Sequence, residues 1–308
     1  MKIVYFGSDD YSAEHLKFMV DSGFGVKLVV TQPDKPKGRG KKVLPTPVKE
    51  IAVKKGIEVI TPMKVSEIHD VLREYDIGIL VSFGKIIPEK ILSAPRLGIF
   101  NVHPSLLPRY RGASPINRAL ESGDKETGVT LMKVSSKLDA GPIVLQRRIE
   151  IGDFESFGDL EKKLIEEGKK ILSEFFKIVE SGEIPMKEQD ESKATYAPKI
   201  TKEDLIVDFS KPCEFVKNKI RAYDPKPGAF SNLNGNVVKL FGVKDIRYGE
   251  SSPGEIASVE REGAWIGCRD GEILVERIQF PGKKPVGFFD AKNGRKLKEG
   301  DRFTPPEL

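Results

Sequence analysis

The chain reads as an α/β protein in two parts: a mostly parallel sheet with covering helices, followed by a small β-barrel or sandwich. Three observations predict this. In the first 150 residues, short apolar runs rich in β-branched residues alternate with amphipathic stretches, the pattern of βαβ units. Over residues 183–210 the apolar period fades while prolines and charges accumulate, as in a segment crossing between domains. From Ala229 onward the runs are short and broken by turn dipeptides.

Strands are expected at 2–7, 26–31, 58–60, 77–82 and 98–103, because each is an apolar run bounded by glycine, polar residues or proline. Helical periodicity marks 12–20, 47–55 and 66–75, the last with Ser66 as N-cap and Glu67 in its first turn. Pro115 suits the first turn of a further helix that Gly123 closes. Strands at 128–134 and 142–151 flank the turn SSKLDAG. A long charged helix at 156–181 opens on Ser156 with Asp159 three residues on. A short helix at 211–222 precedes the β-rich part, where Asn234-Gly235 and Asp270-Gly271 are hairpin signals. The expected division is 1–188 catalytic, 189–208 linker and 209–308 barrel.

A length of 308 residues allows two ordinary domains, and no apolar run approaches the roughly 20 residues of a membrane span. MKIVYFG is already a strand rather than a signal peptide, so a cytoplasmic protein without membrane partners is expected. Cys213 and Cys268 have no ligand-type neighbours at metal spacing, which predicts buried thiols and no metal. Abundant Lys and Glu with scarce Gln suit a thermophile. The turn GSDDYS lacks the later glycines of a dinucleotide fingerprint, and its paired carboxylates would repel a pyrophosphate. A nicotinamide enzyme is therefore disfavoured.

In open α/β sheets, ligands gather beyond the carboxyl ends of the strands. Four segments meet that edge here: FGSDDYS, FGKIIP, NVHPSLLP and SSKLDAG. His15 and His69 lie within amphipathic helices, where a solvated or half-buried role suffices. His103 differs, since Asn101 shares its face by the two-residue period of a strand. Asp139, in the glycine-containing turn, can add a carboxylate. A carboxamide N–H and an imidazolium stabilise a developing oxyanion, and a carboxylate orients the ring. Ser105 lacks a general-base pattern, so direct acyl transfer to an external nucleophile is the simplest chemistry.

NVHPSLLPRYRGASPI, followed by LDAGPI, resembles the formyltransferases that use 10-formyltetrahydrofolate. The resemblance implies a Rossmann-like domain with Asn101, His103 and Asp139 as catalytic trio and Ser105, Leu106, Leu107 and Pro108 lining the folate site. Phe83, Gly84, Ile86 and Ile87 of FGKIIP are expected to complete an apolar slot for the pterin ring. TQPDKPKGRGKKVLPTPVK and RAYDPKPGAF resemble the members acting on initiator methionyl-tRNA, in which an OB-like barrel docks on tRNA. The residues agree: Lys35, Lys37, Arg39, Lys41 and Lys42 put five cations in eight residues around two glycines. Lys202 and the lysines and Arg221 of 187–221 are expected to extend a basic face. A monomer is expected, with a formyltransferase or hydrolase using a small acceptor as the alternative. GSDDY, Lys137 and Lys226 depart from the family's usual GTPDF-like turn, glycine and tryptophan.

Overall fold

A computed structural model describes residues 1–37 and 42–306, arranged in two compact units. The first takes in Met1–Ala113, Thr127–Ile149 and Lys162–Ala197, and the second Ser114–Glu126, Glu150–Glu161 and the chain from Pro198.

Strands of the first unit are Ile3–Gly7 (β1), Val26–Val30 (β2), Lys35–Lys37 (β3), Lys42–Leu44 (β4), Glu58–Ile60 (β5), Ile77–Val81 (β6), Ile99–His103 (β7), Arg111–Gly112 (β8), Glu126–Lys133 (β9), Ile143–Glu150 (β10) and Tyr196–Ala197 (β11). Seven form one sheet in the order β10-β9-β7-β6-β1-β2-β5. Pairing is parallel from β5 to β7 and antiparallel between β7 and β9. The five strands expected in residues 2–103 fall within one residue of their limits, because apolar runs buried on both faces are what a covered parallel sheet requires. Val4 and Phe6 of β1 join Leu28, Val30, Phe83 and Ile99 in one core cluster, while Ile3 and Tyr5 are buried on the alternate face.

Helix α1 (Asp10–Asp21) begins where the Asp9 side chain accepts from Ser12 N, and α2 (Pro47–Lys54) begins on a Thr46 cap with proline in its first turn. The helix expected at 66–75 is a 3₁₀ turn, Val65–Ile68, running into the short α3 (His69–Leu72). Ser66 lies inside that turn and caps nothing. Val65 and Ile68 both reach the core at a spacing of three, which the tighter 3₁₀ geometry suits. A second short helix, α4 (Glu89–Leu92), follows FGKIIP.

His15 is fully buried rather than solvated. Its Nδ1 lies 2.8 Å from the Tyr11 carbonyl, and burial draws its pKa down to about 4. Gly168 gives it room, since a β-carbon there would stand 2.1 Å from His15 Nε2.

The second unit contains α5 (Pro115–Glu121), where Pro115 does open the helix, and α7 (Cys213–Ala222). The intervening α6 (Phe157–Ser181) starts as expected: Ser156 Oγ accepts from Asp159 N at 3.2 Å and donates to its carboxylate at 2.6 Å. Beyond α7 come Ala229–Leu233 (β12), Asn236–Tyr248 (β13), Ile256–Val259 (β14), Ala264–Cys268 (β15), Gly271–Gln279 (β16), Val286–Gly287 (β17), α8 (Phe288–Asn293) and Phe303–Thr304 (β18). They form an antiparallel sheet, β14-β15-β16-β13-β12-β18 with β17 on β16, curled into a half-barrel. A register shift between Val243 and Asp245 bends its longest strand.

Asn234 and Gly235, both at positive φ, join Leu233 to its partner Asn236 in a two-residue hairpin. The second hairpin turns one residue earlier than expected, on Arg269-Asp270, and Gly271 is already paired with Cys268. Asp270 is drawn into the turn because its carboxylate accepts from Cys213 N at 2.7 Å. Both cysteines are buried and unbridged, and desolvation raises their pKa, that of Cys213 to about 12.

Candidate active site

The sheet order reverses direction at β1: the chain passes outward through β2 to β5, then returns to β6 on the other side. Turns following β1 and β6 meet there. Ser82 Oγ donates to the Asp9 carboxylate, and Ser8 Oγ donates to the Phe83 carbonyl at 3.1 Å. Burial pushes the Asp9 carboxyl above the usual carboxylate range. A cavity of about 190 Å³ opens at this edge, lined among others by Ser8, Asp9, Asp10, Gln32, Lys35 and Thr46. Asn101, His103 and Asp139 do not line it.

These three side chains gather one strand further along. Asn101 and His103 end β7, 7% and 4% exposed, and their register partners on β9 are Met132 and Thr130. Asp139 arrives from the turn between β9 and β10, at φ +46°. Its Oδ2 lies 3.7 Å from His103 Nδ1 and accepts from Gly112 N at 2.8 Å. The other ring nitrogen, Nε2, is 2.9 Å from the Tyr110 carbonyl. A carbonyl can only accept, so Nε2 carries the hydrogen and Nδ1 is the position left to gain or lose a proton. At 3.7 Å the His103–Asp139 gap exceeds a direct hydrogen bond and suits a shared third group. The Asn101 carboxamide makes no hydrogen bond among the described residues.

The SLLP segment is pinned beside the trio. Ser105, fully buried, donates its hydroxyl to the Arg109 carbonyl at 2.7 Å, so its side chain serves the loop's own shape. Thr130 Oγ1 donates to the Ser105 carbonyl and accepts from Leu107 N, and Gln146 grips the Leu107 carbonyl at 2.8 Å. Leu107 is buried, whereas Leu106 and Pro108 are partly open. In FGKIIP, Phe83 and Ile87 belong to the core, with Phe83 edge-on to Phe6. Gly84, at positive φ, is exposed, and Ile86 is 87% exposed.

The basic residues divide. Lys35 is exposed and donates to Gln32 Oε1 at 2.7 Å. Lys37 and Lys42 are backbone register partners in the β3–β4 hairpin, whereas Arg39 and Lys41 lie outside the described residues. Lys202 is exposed. Three of the expected face-forming cations are instead internal to the second unit: Lys217 pairs with Glu214 at 2.6 Å, Lys219 with Glu121 at 2.5 Å, and Arg221 donates to the Gly152 carbonyl. Glu121 reaches Lys219 because α5 packs on α7, whereas Lys217 is 3% exposed beside a Glu214 of the same helix that stays half-exposed. Lys187 and Lys193 fall in the first unit.

Sequence reasoning passed over Arg111, Gln189 and Glu191. Arg111, 2% exposed, donates to Gln189 Oε1 and to both oxygens of Glu191, and the Glu191 carboxylate holds its pKa above the ordinary arginine value. The available signal was an arginine beside the trio's own motif, followed by glycine.

Fold and comparison together first define a class. The formyl transferase family model matches residues 1–176, and the model of the formyl transferase C-terminal domain matches residues 199–296. Among solved structures, HypX from Aquifex aeolicus superposes with a TM-score of 0.68 at 20% identity, covering 95% of this chain and 48% of that one. The chain thus spans about half the length of HypX. WlaRD, a sugar 3N-formyl transferase, superposes with a TM-score of 0.65 at 20% identity over 92% of this chain and 99% of that one. At these identities the likeness is one of fold.

The methionyl-tRNA formyltransferase of Thermotoga maritima is 55% identical over 98% of both chains, and that of Thermosipho melanesiensis is 49% identical over 98% of this chain and 99% of its own. The chain belongs to the methionyl-tRNA formyltransferase family. No helix among the described residues is long and apolar enough to cross a membrane.

Proposed function

We propose that the chain transfers the formyl group of 10-formyltetrahydrofolate to the free amino group of methionine on initiator methionyl-tRNA, yielding N-formylmethionyl-tRNA, and works as a cytoplasmic monomer. The carrying observation is identity of 44–55% over nearly the whole chain to relatives bearing that activity in their name.

The bound donor supplies an acyl carbon open to attack by an amine. Asn101 offers an uncommitted N–H donor where negative charge develops on the carbonyl oxygen. His103 keeps Nε2–H on the Tyr110 carbonyl and exposes Nδ1 to the gap facing Asp139. Asp139, fixed by Gly112 N, bounds the other side, so the attacking amine's proton is received between carboxylate and imidazole and handed to the folate nitrogen as its bond to the formyl carbon breaks and tetrahydrofolate leaves. With Nε2–H held on the Tyr110 carbonyl, proton transfer rather than a share in the oxyanion is assigned to His103 as its main task. No step calls on a metal ion.

The fit to a folate ring rests on apolar surface left open: Ile86 and Leu138 are 87% and 61% exposed. Phe83 and Ile87, buried in the core, anchor the segment that carries Ile86, and Gly84, Ser105, Leu106, Leu107 and Pro108 are assigned to the same folate site. For tRNA, Lys35, Lys37, Arg39, Lys41 and Lys42 are assigned to the acceptor end and Lys202 to the second unit. Functionally, 1–188 would carry catalysis, 189–208 the connection and 209–308 the tRNA-docking barrel.

The test is transfer of labelled formyl from 10-formyltetrahydrofolate to methionyl initiator tRNA, with elongator methionyl-tRNA as control. Labelling both tRNAs equally, or neither, would sink the assignment.

A further inference from the structure

Asp139 occupies the left-handed region, which costs a residue with a β-carbon roughly 1 kcal/mol or more, so something must hold it there. Gln189 does so. Its Nε2 donates to the Asp139 carbonyl and to the Gly141 carbonyl, both at 2.8 Å, gripping the turn on either side of Ala140. Its Oε1 accepts from Arg111 Nε at 3.1 Å and Nη2 at 2.8 Å, which fixes which end of the amide faces which partner. The far edge of Arg111 is clamped by Glu191 at 2.8 and 3.0 Å.

Arg111 also lies between the two residues whose backbones hold the His–Asp pair. Tyr110 accepts from His103 Nε2, and Gly112 donates to Asp139 Oδ2. Strand β8 is locked in turn by parallel pairing with Tyr196 and Ala197. One buried guanidinium thus sits at the junction of three constraints: on the ring, on the carboxylate, and through Gln189 on the turn that delivers the carboxylate.

We propose that Gln189 and Arg111 are positioning residues that set the separation of His103 Nδ1 and Asp139 Oδ2. This rests on the assignment of Asp139 to the proton-transfer site. Gln189→Glu isolates the claim, because a carboxylate still accepts from Arg111 but cannot donate to the two carbonyls.

The experiment measures kcat and KM of Gln189→Glu, Asp139→Asn and the double variant in the full chain, with melting temperatures. Gln189→Glu is expected to lower kcat roughly 10- to 100-fold, as a misplacement near 1 Å does, with KM for tRNA and donor within about twofold. In its background Asp139→Asn should cost much less than in the wild type. Unchanged kcat, or fully additive effects, overturns the proposal. If Gln189→Glu does not fold, Arg111→Lys replaces it: charge is kept, the fork to Gln189 is lost, and the same non-additivity is required. Wild-type turnover in Asp139→Asn alone would instead overturn the reading of the trio.

Discussion

Asn101 and His15 are both buried polar side chains, and they carry opposite expectations. Asn101 is 7% exposed and its carboxamide makes no hydrogen bond among the described residues, as the proposed role of a donor whose partner forms during reaction requires. Asn101→Ala should therefore lower kcat by a factor equivalent to about 3 kcal/mol while leaving KM for the donor near its original value. Single-turnover kinetics at saturating substrates measure this, and an unchanged rate removes the oxyanion role. His15 is neutral because burial lowers its pKa from 6.5 to about 4. Depressed in the folded state, it contributes stability that is present above pH 6.5 and lost as pH falls through 4, about 2 kcal/mol being gone by pH 5. His15→Gln should flatten the fall in urea-unfolding free energy between pH 7 and pH 5; a slope equal to the wild type's would contradict it. Of the trio, Asn101 and His103 were legible from strand spacing alone. Asp139 was legible as a carboxylate on the same sheet edge through the SSKLDAG turn, but its distance to the ring was not, since no local pattern says how closely a turn 36 residues beyond His103 returns to it. Lys217 and Arg221 misled because one sequence shows charge without showing the acceptors that bury it.

Among elements, the parallel strands were readable since their apolar runs have one physical use, whereas the 3₁₀ turn at Val65–Ile68 was not, because spacings of three and four coincide over so short a stretch. Glycines divide by what surrounds them. At Gly235, φ +76° with open space around the α-carbon, Gly235→Ala should cost about 1 kcal/mol and leave activity intact. At Gly112, φ +122°, an added β-carbon would stand 2.7 Å from the Ala197 carbonyl, on rigid backbone, and the adjacent N–H holds Asp139. Gly112→Ala should lower both the melting temperature and kcat more than Gly235→Ala does. Similar melts and rates for the two variants would refute the account of β8 and β11.

At the scale of the whole molecule, the net charge of +5 understates the pull on a polyanion, because cations crowd residues 35–42. The affinity for initiator tRNA should fall steeply between 50 and 200 mM salt, by about tenfold or more if several phosphates are neutralised. Filter binding across that range checks it, and a flat response would argue for a small acceptor. The two units were half legible: a change of character after Gly182 was visible, but the assignment of 114–126 and 150–161 to the second unit depends on contacts far apart in sequence.

That interleaving bears on how the protein is made. Asn117 of α5 donates to the Ala222 carbonyl of α7 at 2.7 Å, across 105 residues of chain. At a synthesis rate of roughly 5–20 residues per second, α5 leaves the ribosome some 5–20 s before its partner exists. Arg118 waits likewise for Asp204, and β12 for β18 near the end of the chain. The second unit therefore cannot be finished as a nascent intermediate. Until α7 is released, the apolar side of α5 has to be shielded by something other than its final neighbour.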